Sequence, residues 1–389
     1  MSKEDPTNIQ VSANLSFCYS FGLSKIEQDW SKACGNNTYL SVSYLKALQE
    51  SAISYAEHLY VVCYQDQQPI GVAYFQRIEV KDTFFSQKKF PHKINARMRS
   101  LILKKMKGNL LLCGNFFATG VNGFYFKETK LSELLPKVVD KLIAHLQQNN
   151  QKVNFVMYKE FWMDKNTSFQ KFLNKKHERF QIDVNMILSI NPSWTSFEDY
   201  LNSMTTKYRT RAKGIYKKTN HIVCRDFSAL EILQYQLEIN ELFASVLKTS
   251  SFNMVQPNVR SFYELKLALK EAFVFRGYFE QDTMVAFSIA CKNLNYIDAS
   301  YVGIDYSVNN KTPIYQRLLY DYVVLAIENR VEELRLGRTA EIMKSSLGAL
   351  PVPMNLYAKH TNPWLHAILK PLLVYVQPST FEIRRPFKN

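Results

Sequence analysis

Apolar residues fall into two repeats of one pattern. In the first, Tyr44 to Ala56 has helical spacing, and the runs Leu59 to Tyr64 and Ile70 to Val80 flank the polar stretch Gln65-Asp66-Gln67-Gln68-Pro69, which predicts a β-hairpin. A short apolar run, Asn109 to Cys113, then leads through glycine- and asparagine-rich turns into Leu131 to Asn149. There Leu134, Leu135, Val138, Val139, Leu142 and Leu146 recur at the period of a helix, and Val153 to Tyr158 follows as a strand. The second repeat has the same order: Phe273 to Glu280, the turn Gln281-Asp282-Thr283, Met284 to Cys291, Tyr296 to Val302, a helix, and the strand Glu332 to Leu336. Gly71-Val72-Ala73-Tyr74-Phe75 and Met284-Val285-Ala286-Phe287 echo each other after the two turns. Matching element order and matching letters together predict a duplicated α/β (α+β) domain.

The second long helix is predicted to start at Thr312-Pro313, with threonine as the cap and proline in the first turn, and to end near Asn329. It would bury Ile314, Leu318, Leu319, Tyr322, Val323, Ala326 and Ile327. Between the repeats lie Trp194 to Tyr200, a basic run from Lys207 to Lys218, and Ala229 to Lys248 with helical periodicity. The domain boundary is placed near Asn191-Pro192, giving an N-terminal domain 1–190 and a C-terminal domain 191–389.

A chain of 389 residues is long enough for two such domains and their cores. Its composition, 47% apolar with only 12 Gly and 13 Pro, excludes a disordered or collagen-like chain. Six cysteines lie far apart with no Cys-x-x-Cys pair and mostly within apolar runs, which predicts buried, reduced thiols. Seven isolated histidines form no ligand cluster, so no metal site is expected. There is no Gly-x-Ser-x-Gly elbow, Walker loop or Gly-x-Gly-x-x-Gly fingerprint, and the hydrolase, kinase and dinucleotide readings fall away. The polar opening Met1 to Gln10 and the absence of any run of about 18 apolar residues predict a cytoplasmic protein.

The charge changes the picture. Forty-nine Lys and Arg against 34 Asp and Glu leave a net +15, which calls for an anionic partner: a nucleic acid, a phosphorylated substrate or an inner-leaflet surface. Three segments carry the excess. Lys207 to Lys218 has six cations in twelve residues and no acid, with Lys207 and Arg211 on one helical face and Arg209 and Lys213 on another. Such a helix can grip phosphates along one side or stand as a solvated face. Lys88 to Lys107 has eight cations and no acid among apolar residues, so it is either an amphipathic excursion packed on its domain or a contact with membrane or RNA.

The third segment is Leu334 to Ala349, in which a strand ends at Leu336, Gly337 permits a tight turn, and Thr339 is placed to cap a short helix with outward N–H groups. Arg335, Arg338 and Lys344 surround that turn. The combination could hold a phosphate, a carboxylate or the oxyanion of an attacked carbonyl; an ordinary strand-to-helix connection is the plain alternative.

The element order, the basic Lys-Tyr-Arg-x-Arg-x-Lys stretch and the closing Gly-Arg-Thr-Ala-Glu-x-x-Lys-Ser-x-x-Gly-Ala together resemble FemAB-like (FemABX) proteins, a branch of the GNAT acyltransferase superfamily with two GNAT-like mixed-sheet domains in tandem. The resemblance runs from about Ser41 to Ala349. It implies transfer of an acyl or aminoacyl group from an activated thioester or ester, acyl-CoA or aminoacyl-tRNA, to an amine acceptor of the peptidoglycan-precursor, lipid or amino-acid type, in a cleft of the C-terminal domain. By the same analogy Lys344 stabilises charge on the carbonyl or on donor phosphate, Gly337, Arg338 and Thr339 shape the pocket with Arg335 beside them, and Lys207, Arg209 and Arg211 hold the donor or an anionic acceptor. Single-domain GNAT enzymes grip the coenzyme A pyrophosphate with a glycine-rich loop before the long helix. Here Val308-Asn309-Asn310-Lys311-Thr312-Pro313 stands there, leaving the backbone N–H groups near Lys311 and Thr312 for phosphates.

Asp298 is favoured as the base, with Tyr301 also on the central strand; the two differ in parity and face one cleft only if a bulge intervenes. Asp298 as a structural carboxylate is the alternative. A non-catalytic GNAT-fold module binding an anionic glycan, lipid head group or nucleic acid is the competing functional reading. A third has the transferase docked peripherally at the inner membrane surface through Lys88 to Lys107 and Pro363 to Val376.

Overall fold

A computed structural model describes residues 5–51, 56–80, 108–120, 123–162, 168–249, 256–367 and 380–388. The basic run Lys88 to Lys107 and most of Pro363 to Val376 lie outside the described residues. In chain order the strands are β1 (Thr7–Gln10), β2 (Leu15–Ser20), β3 (Ala56–Gln65), β4 (Gln68–Val80), β5 (Gly108–Cys113), β6 (Phe124–Phe126), β7 (Phe155–Trp162), β8 (Glu178–Phe180), β9 (Val184–Ser189), β10 (Ile222–Asp226), β11 (Phe273–Glu280), β12 (Thr283–Lys292), β13 (Tyr296–Ile304), β14 (Glu333–Arg335) and β15 (Leu350–His360). The chain divides into two compact units. The first comprises Met1–Ile182, Ser251–Gln256 and Pro353–Pro378; the second Asp183–Ser250, Pro257–Val352 and Ser379–Asn389.

In unit 1 the strand order is β1-β2-β3-β4-β5-β7-β15. All neighbours are antiparallel except β5 and β7, which run parallel from Leu110↔Phe155 to Cys113↔Tyr158. The helix Leu135–Gln148 makes the crossover between them, and its buried stripe of Leu135, Val138, Val139, Leu142 and Leu146 is the one its periodicity predicts. Asp66 and Gln67, both left-handed at φ 48° and 64°, close the β3–β4 hairpin with the turn whose twist suits two antiparallel strands.

Unit 2 repeats this plan in the order β9-β14-β13-β12-β11-β10. The β11–β12 hairpin leads to β13, the long helix Ile314–Glu328 crosses over, and β14 returns parallel to β13. One sheet face, built from Ala290, Ile297, Leu334, Leu336, Met186 and Leu188, packs against Leu319, Tyr322, Val323, Ala326 and Ile327 of that helix. Each such aliphatic side chain contributes about 1.5–3 kcal/mol by leaving water. On the other face lie rings: Phe262 lies 6.1 Å from Phe275, Phe275 stacks on Phe287 at 5.2 Å, and Phe243 approaches Phe287 at 6.3 Å.

The long helix departs from its predicted start. Its cap residue is Pro313, with no side-chain cap bond, and Thr312 lies outside the helix. Asn309, upstream, supplies the acceptor instead, its Oδ1 taking the Tyr315 N–H at 3.0 Å. The end at Asn329 is as predicted. The basic segment forms the helix Thr206–Lys218, and Ala229 to Lys248 divides at Tyr235 into Ala229–Gln234 and Gln236–Thr249.

The basic helix is locked to the long helix by a mostly buried ion pair. Arg317 Nε donates to both Asp321 oxygens at 2.8 and 3.0 Å, and Tyr216 Oη donates to Asp321 Oδ1 at 2.8 Å. The Arg317 guanidinium also lies 4.5 Å above the Tyr216 ring. Removing one partner strands the other charge. Asp321→Ala is therefore expected to destabilise the protein by about 3–5 kcal/mol. The double substitution Arg317→Met with Asp321→Leu should cost far less, and equilibrium denaturation of the two variants checks the contrast.

Candidate functional site

The strands β13 and β14 pair over only three residues each, Tyr296–Asp298 with Glu333–Arg335. Beyond them β13 continues to Ile304 while β14 ends, so the parallel pair parts inside unit 2. At the parting point β13 carries a bulge. Ile289 of β12 faces Tyr301 and Ala290 faces Ala299, which leaves Ser300 as the extra residue. On the β14 side the chain turns at Gly337, whose φ of 72° is left-handed; a side chain there would meet only the Ala299 carbonyl, at 3.7 Å.

The bulge settles the parity of the two candidates on this strand. Asp298 faces Cys291 and Tyr301 faces Ile289, positions two apart on β12, so both stand on the same sheet face. Asp298 is buried. Tyr301 sits among rings, 5.8 Å from Phe243 and 5.9 Å from Phe262.

The loop after Gly337 differs in detail from its expected form. Thr339 does not cap the short helix Glu341–Ser345: the cap residue is Ala340, and Thr339 and Ala340 are both left-handed, at φ 62° and 51°, with no side-chain cap bond. The N–H groups of Met343 and Lys344 both donate to the Ala340 carbonyl at 3.0 Å, closing the first turn of that helix. Arg335 is likewise committed. Its Nε donates to Glu333 Oε2 at 2.9 Å and its guanidinium covers the Tyr296 ring at 3.4 Å. The acid two residues upstream on the same face draws it along the strand.

What the loop does bring together is Lys344 and Arg338. Lys344 is only 4% exposed, and its Nζ donates to the Arg338 carbonyl at 2.5 Å. Burial pushes the ammonium down to about 7, against a smaller opposing pull from Glu341. Burial also lowers the Arg338 guanidinium, to about 10, which leaves it charged at neutral pH.

The C-terminal segment fixes this loop through contacts that no local pattern announces. Arg384 N–H donates to Ser345 Oγ at 3.0 Å, and Thr205 N–H donates to the Pro386 carbonyl at 2.8 Å. Phe387 packs 5.4 Å from Trp194 and 5.9 Å from Tyr200, against Gly348, which has φ 97°. Tyr200 Oη in turn donates to the Leu347 carbonyl at 2.9 Å.

The other predicted binding residues lie elsewhere in the unit. Lys207, Arg209 and Arg211 are on the basic helix, and Arg211 reaches Gln316 of the long helix at 3.5 Å. Lys311 and Thr312 precede the long helix, but their N–H groups are not left for phosphates: both donate to the Val308 carbonyl, at 2.9 and 2.8 Å. The i, i+4 spacing of Arg317 and Asp321 within a mostly apolar helix was the legible sign of the buried pair that holds this region. Among the described residues no cluster of His, Cys, Asp or Glu could hold a metal, and no helix is long and apolar enough to cross a membrane.

With this geometry in view, the solved structures place the fold. No family model matches the chain, and no curated protein matches it. The structure of FemX aligns with 94% of this chain and 100% of its own, with TM-score 0.56 and 11% identity. A tandem GNAT protein from the clavulanic acid biosynthesis pathway aligns with 90% of this chain and 99% of its own, with TM-score 0.52 and 9% identity. The chain thus has a FemABX-like tandem GNAT fold, mixed α/β in class.

Two outcomes follow for the Lys344 loop. Gly348→Ala forces a Cβ into the Phe387 ring at a left-handed position, and should destabilise the protein by about 1–3 kcal/mol in thermal or chemical unfolding. Lys344→Met should be more stable than the wild type at neutral pH. The unfolded lysine holds its proton up to about 10.5 and the folded one only to about 7, so wild-type stability rises with pH between those values. The stability gap between the two proteins should be widest below pH 7 and close as the pH approaches 10.5.

Proposed function

We propose that the protein is an N-acyltransferase that moves an acyl or aminoacyl group from an activated ester or thioester to an amine, with the reaction in unit 2. The observation that carries this reading is the parting of β13 and β14 at the Ala299–Ser300 bulge, opposite Gly337 and beside a loop holding a buried lysine. A strand edge released from its ladder offers backbone groups to an amide-bearing donor arm, and FemX and the tandem GNAT protein share the fold.

In the reaction the amine nitrogen attacks the donor carbonyl carbon, the C–O or C–S bond breaks, and the alcohol or thiol leaves with the proton the amine gives up. Lys344 is suited to the oxyanion formed on the way. Near neutral pH it holds its proton weakly, so a developing negative charge in a dry site draws the ammonium toward it from the Arg338 carbonyl. Asp298, buried on the same face as Tyr301, is the candidate to take the amine proton.

The turn before the long helix bears on the donor. The N–H groups of Lys311, Thr312, Ile314 and Tyr315 all have acceptors within the protein, Val308, Val308, Thr312 and Asn309. That supports a donor held by its acyl end and by cationic side chains rather than by backbone amides on a pyrophosphate. Acyl-CoA and aminoacyl-tRNA both remain donors to assay, with peptidoglycan-precursor, lipid and amino-acid amines as acceptors. The reading places the enzyme in the cytoplasm or at the inner membrane surface.

A non-catalytic module that binds an anion is favoured by one observation, the existing bond from Lys344 to the Arg338 carbonyl, which gives the lysine a structural task. Lys344→Ala separates the two. For a transferase, turnover of the cognate donor and amine should fall at least 100-fold with no loss of melting temperature. Undiminished turnover removes Lys344 from the reaction, and a collapse of the melting temperature makes it a brace.

A further inference from the structure

We infer that Asn185 is a specificity-determining residue of unit 2, whose carboxamide pairs with the N–H and C=O of a ligand amide chain laid over Gly337. Asn185 interrupts β9, where Val184, Met186, Ile187 and Leu188 around it are apolar, and asparagine is a poor strand former. It is 0% exposed, and among the described residues neither its Nδ2 nor its Oδ1 has a hydrogen-bond partner. Buried polar groups are ordinarily paired, and one left unpaired costs free energy. Other buried amides of the protein keep that rule. Gln76 Nε2 donates to Tyr74 Oη at 3.0 Å while its Oε1 accepts the Phe116 N–H at 2.8 Å. Asn115 is met at both ends too, with Tyr44 Oη at 3.0 Å and the Phe117 N–H at 2.9 Å. An apolar residue would serve folding better at 185, so the carboxamide has a use beyond folding.

Its position says where that use lies. Ile187 faces Arg335 of β14, and the Met186 N–H donates to the Gly337 carbonyl at 3.0 Å, which makes Asn185 the β9 neighbour of Gly337. Val184, Met186 and Leu188 belong to the core packed on the long helix, so alternation puts Asn185 on the opposite face, the one that carries Arg335 and Asp298. Gly337 has no side chain, and a Cβ there would meet only the Ala299 carbonyl at 3.7 Å. Side chains opposite one another on adjacent strands have Cβ atoms about 4.5–5.5 Å apart, so an atom seated over Gly337 is within hydrogen-bonding reach of the carboxamide. The room where β13 and β14 part and the unpaired amide adjoin.

The chemistry of the group narrows the ligand. A carboxamide offers an acceptor and a donor side by side and carries no charge. A phosphate or carboxylate meets only its N–H half, and an ammonium only its carbonyl half. In an extended amide chain the N–H and C=O of one residue point the same way and meet both. The part of the ligand read at 185 is therefore a neutral amide chain and not a charged head group, and in a dry setting such a pair of hydrogen bonds counts for more than in water. The arm of a thioester donor and the chain of a peptidyl amine both have this chemistry. The inference rests on the reading of unit 2 as the ligand-bearing unit, and it concerns recognition, not the transfer step.

Isothermal titration of the full-length protein with two probes, pantetheine and triglycine amide, tests it and tells the two sources apart. At least one probe should bind. Asn185→Val and Asn185→Ala should weaken that binding by about 10-fold or more, while their melting temperatures stay at or above that of the wild type. A purely structural asparagine would give the reverse, a loss of stability with affinity untouched. The inference is overturned by binding of neither probe, by an affinity indifferent to both variants, or by melting temperatures that fall below the wild type in both. Asn185-dependent binding in a protein that transfers no acyl group would refute the reaction proposed above and leave this assignment standing.

Discussion

The geometry of unit 2 depends on a mismatch of strand length. β13 and β14 hold together for three residues and then part, because β13 takes an extra residue at Ser300 and the chain after β14 swings away at a left-handed Gly337. A parallel pair in mid-sheet normally continues its ladder, since every unpaired backbone group left buried costs free energy. Ending the ladder early is tolerable only where something else can meet those groups. The same departure sends the chain into the loop where Lys344 is buried, so the strand opening and the cationic loop are two results of one change in backbone direction.

Unit 1 shows what happens to this plan under different side chains. Its parallel pair, β5 and β7, is joined by an equivalent crossover helix, and β7 also bulges, at Lys159 and Glu160. There the cation at the bulge is answered internally. Lys159 Nζ donates to Glu160 Oε2 at 2.9 Å and to the Ala118 carbonyl, and the same carboxylate oxygen accepts the Gly120 N–H at 2.7 Å. A carboxylate from the protein thus takes the backbone donor that an external anion would use. In unit 2 the Lys344 ammonium donates, among the described residues, to a neutral carbonyl, and burial weakens its hold on the proton. One topology therefore supports a neutralised position in one unit and a polarisable one in the other.

Much of the fold was legible because it rests on local rules. The crossover helices announce themselves at positions such as Leu135, Val138 and Leu142, and the two hairpins show in their polar turns, so the duplicated strand–helix–strand order follows from periodicity alone. What was not legible depends on partners distant in sequence. Nothing in Pro353 to His360 says that it will pair with β7, nearly two hundred residues earlier, and nothing in Phe387 says that it will fill the space left by Gly348. In the candidate site the cluster Gly337, Arg338, Lys344 was visible as a motif, but charge counting overstated it. Arg335 is held by Glu333 and Tyr296, and Thr339 does not cap the short helix that follows.

The value of Lys344 as a reactive group follows from how firmly its loop is held. A buried lysine with a lowered pKa is costly, and a mobile loop would relieve that cost by swinging the ammonium into water. Here the exits are closed by packing. Gly348 lies against Phe387, Ser345 accepts from the Arg384 backbone, and Leu347 is bonded to Tyr200, itself buried under the long helix. The C-terminal segment is thus part of the electrostatics of the site: it keeps the side chain dry, and dryness sets the proton affinity. Loosening any of these contacts would bring the lysine back toward its ordinary pKa before it unfolded the domain. The chemistry at Lys344 therefore depends on the strap formed by the last ten residues as much as on the loop that carries it.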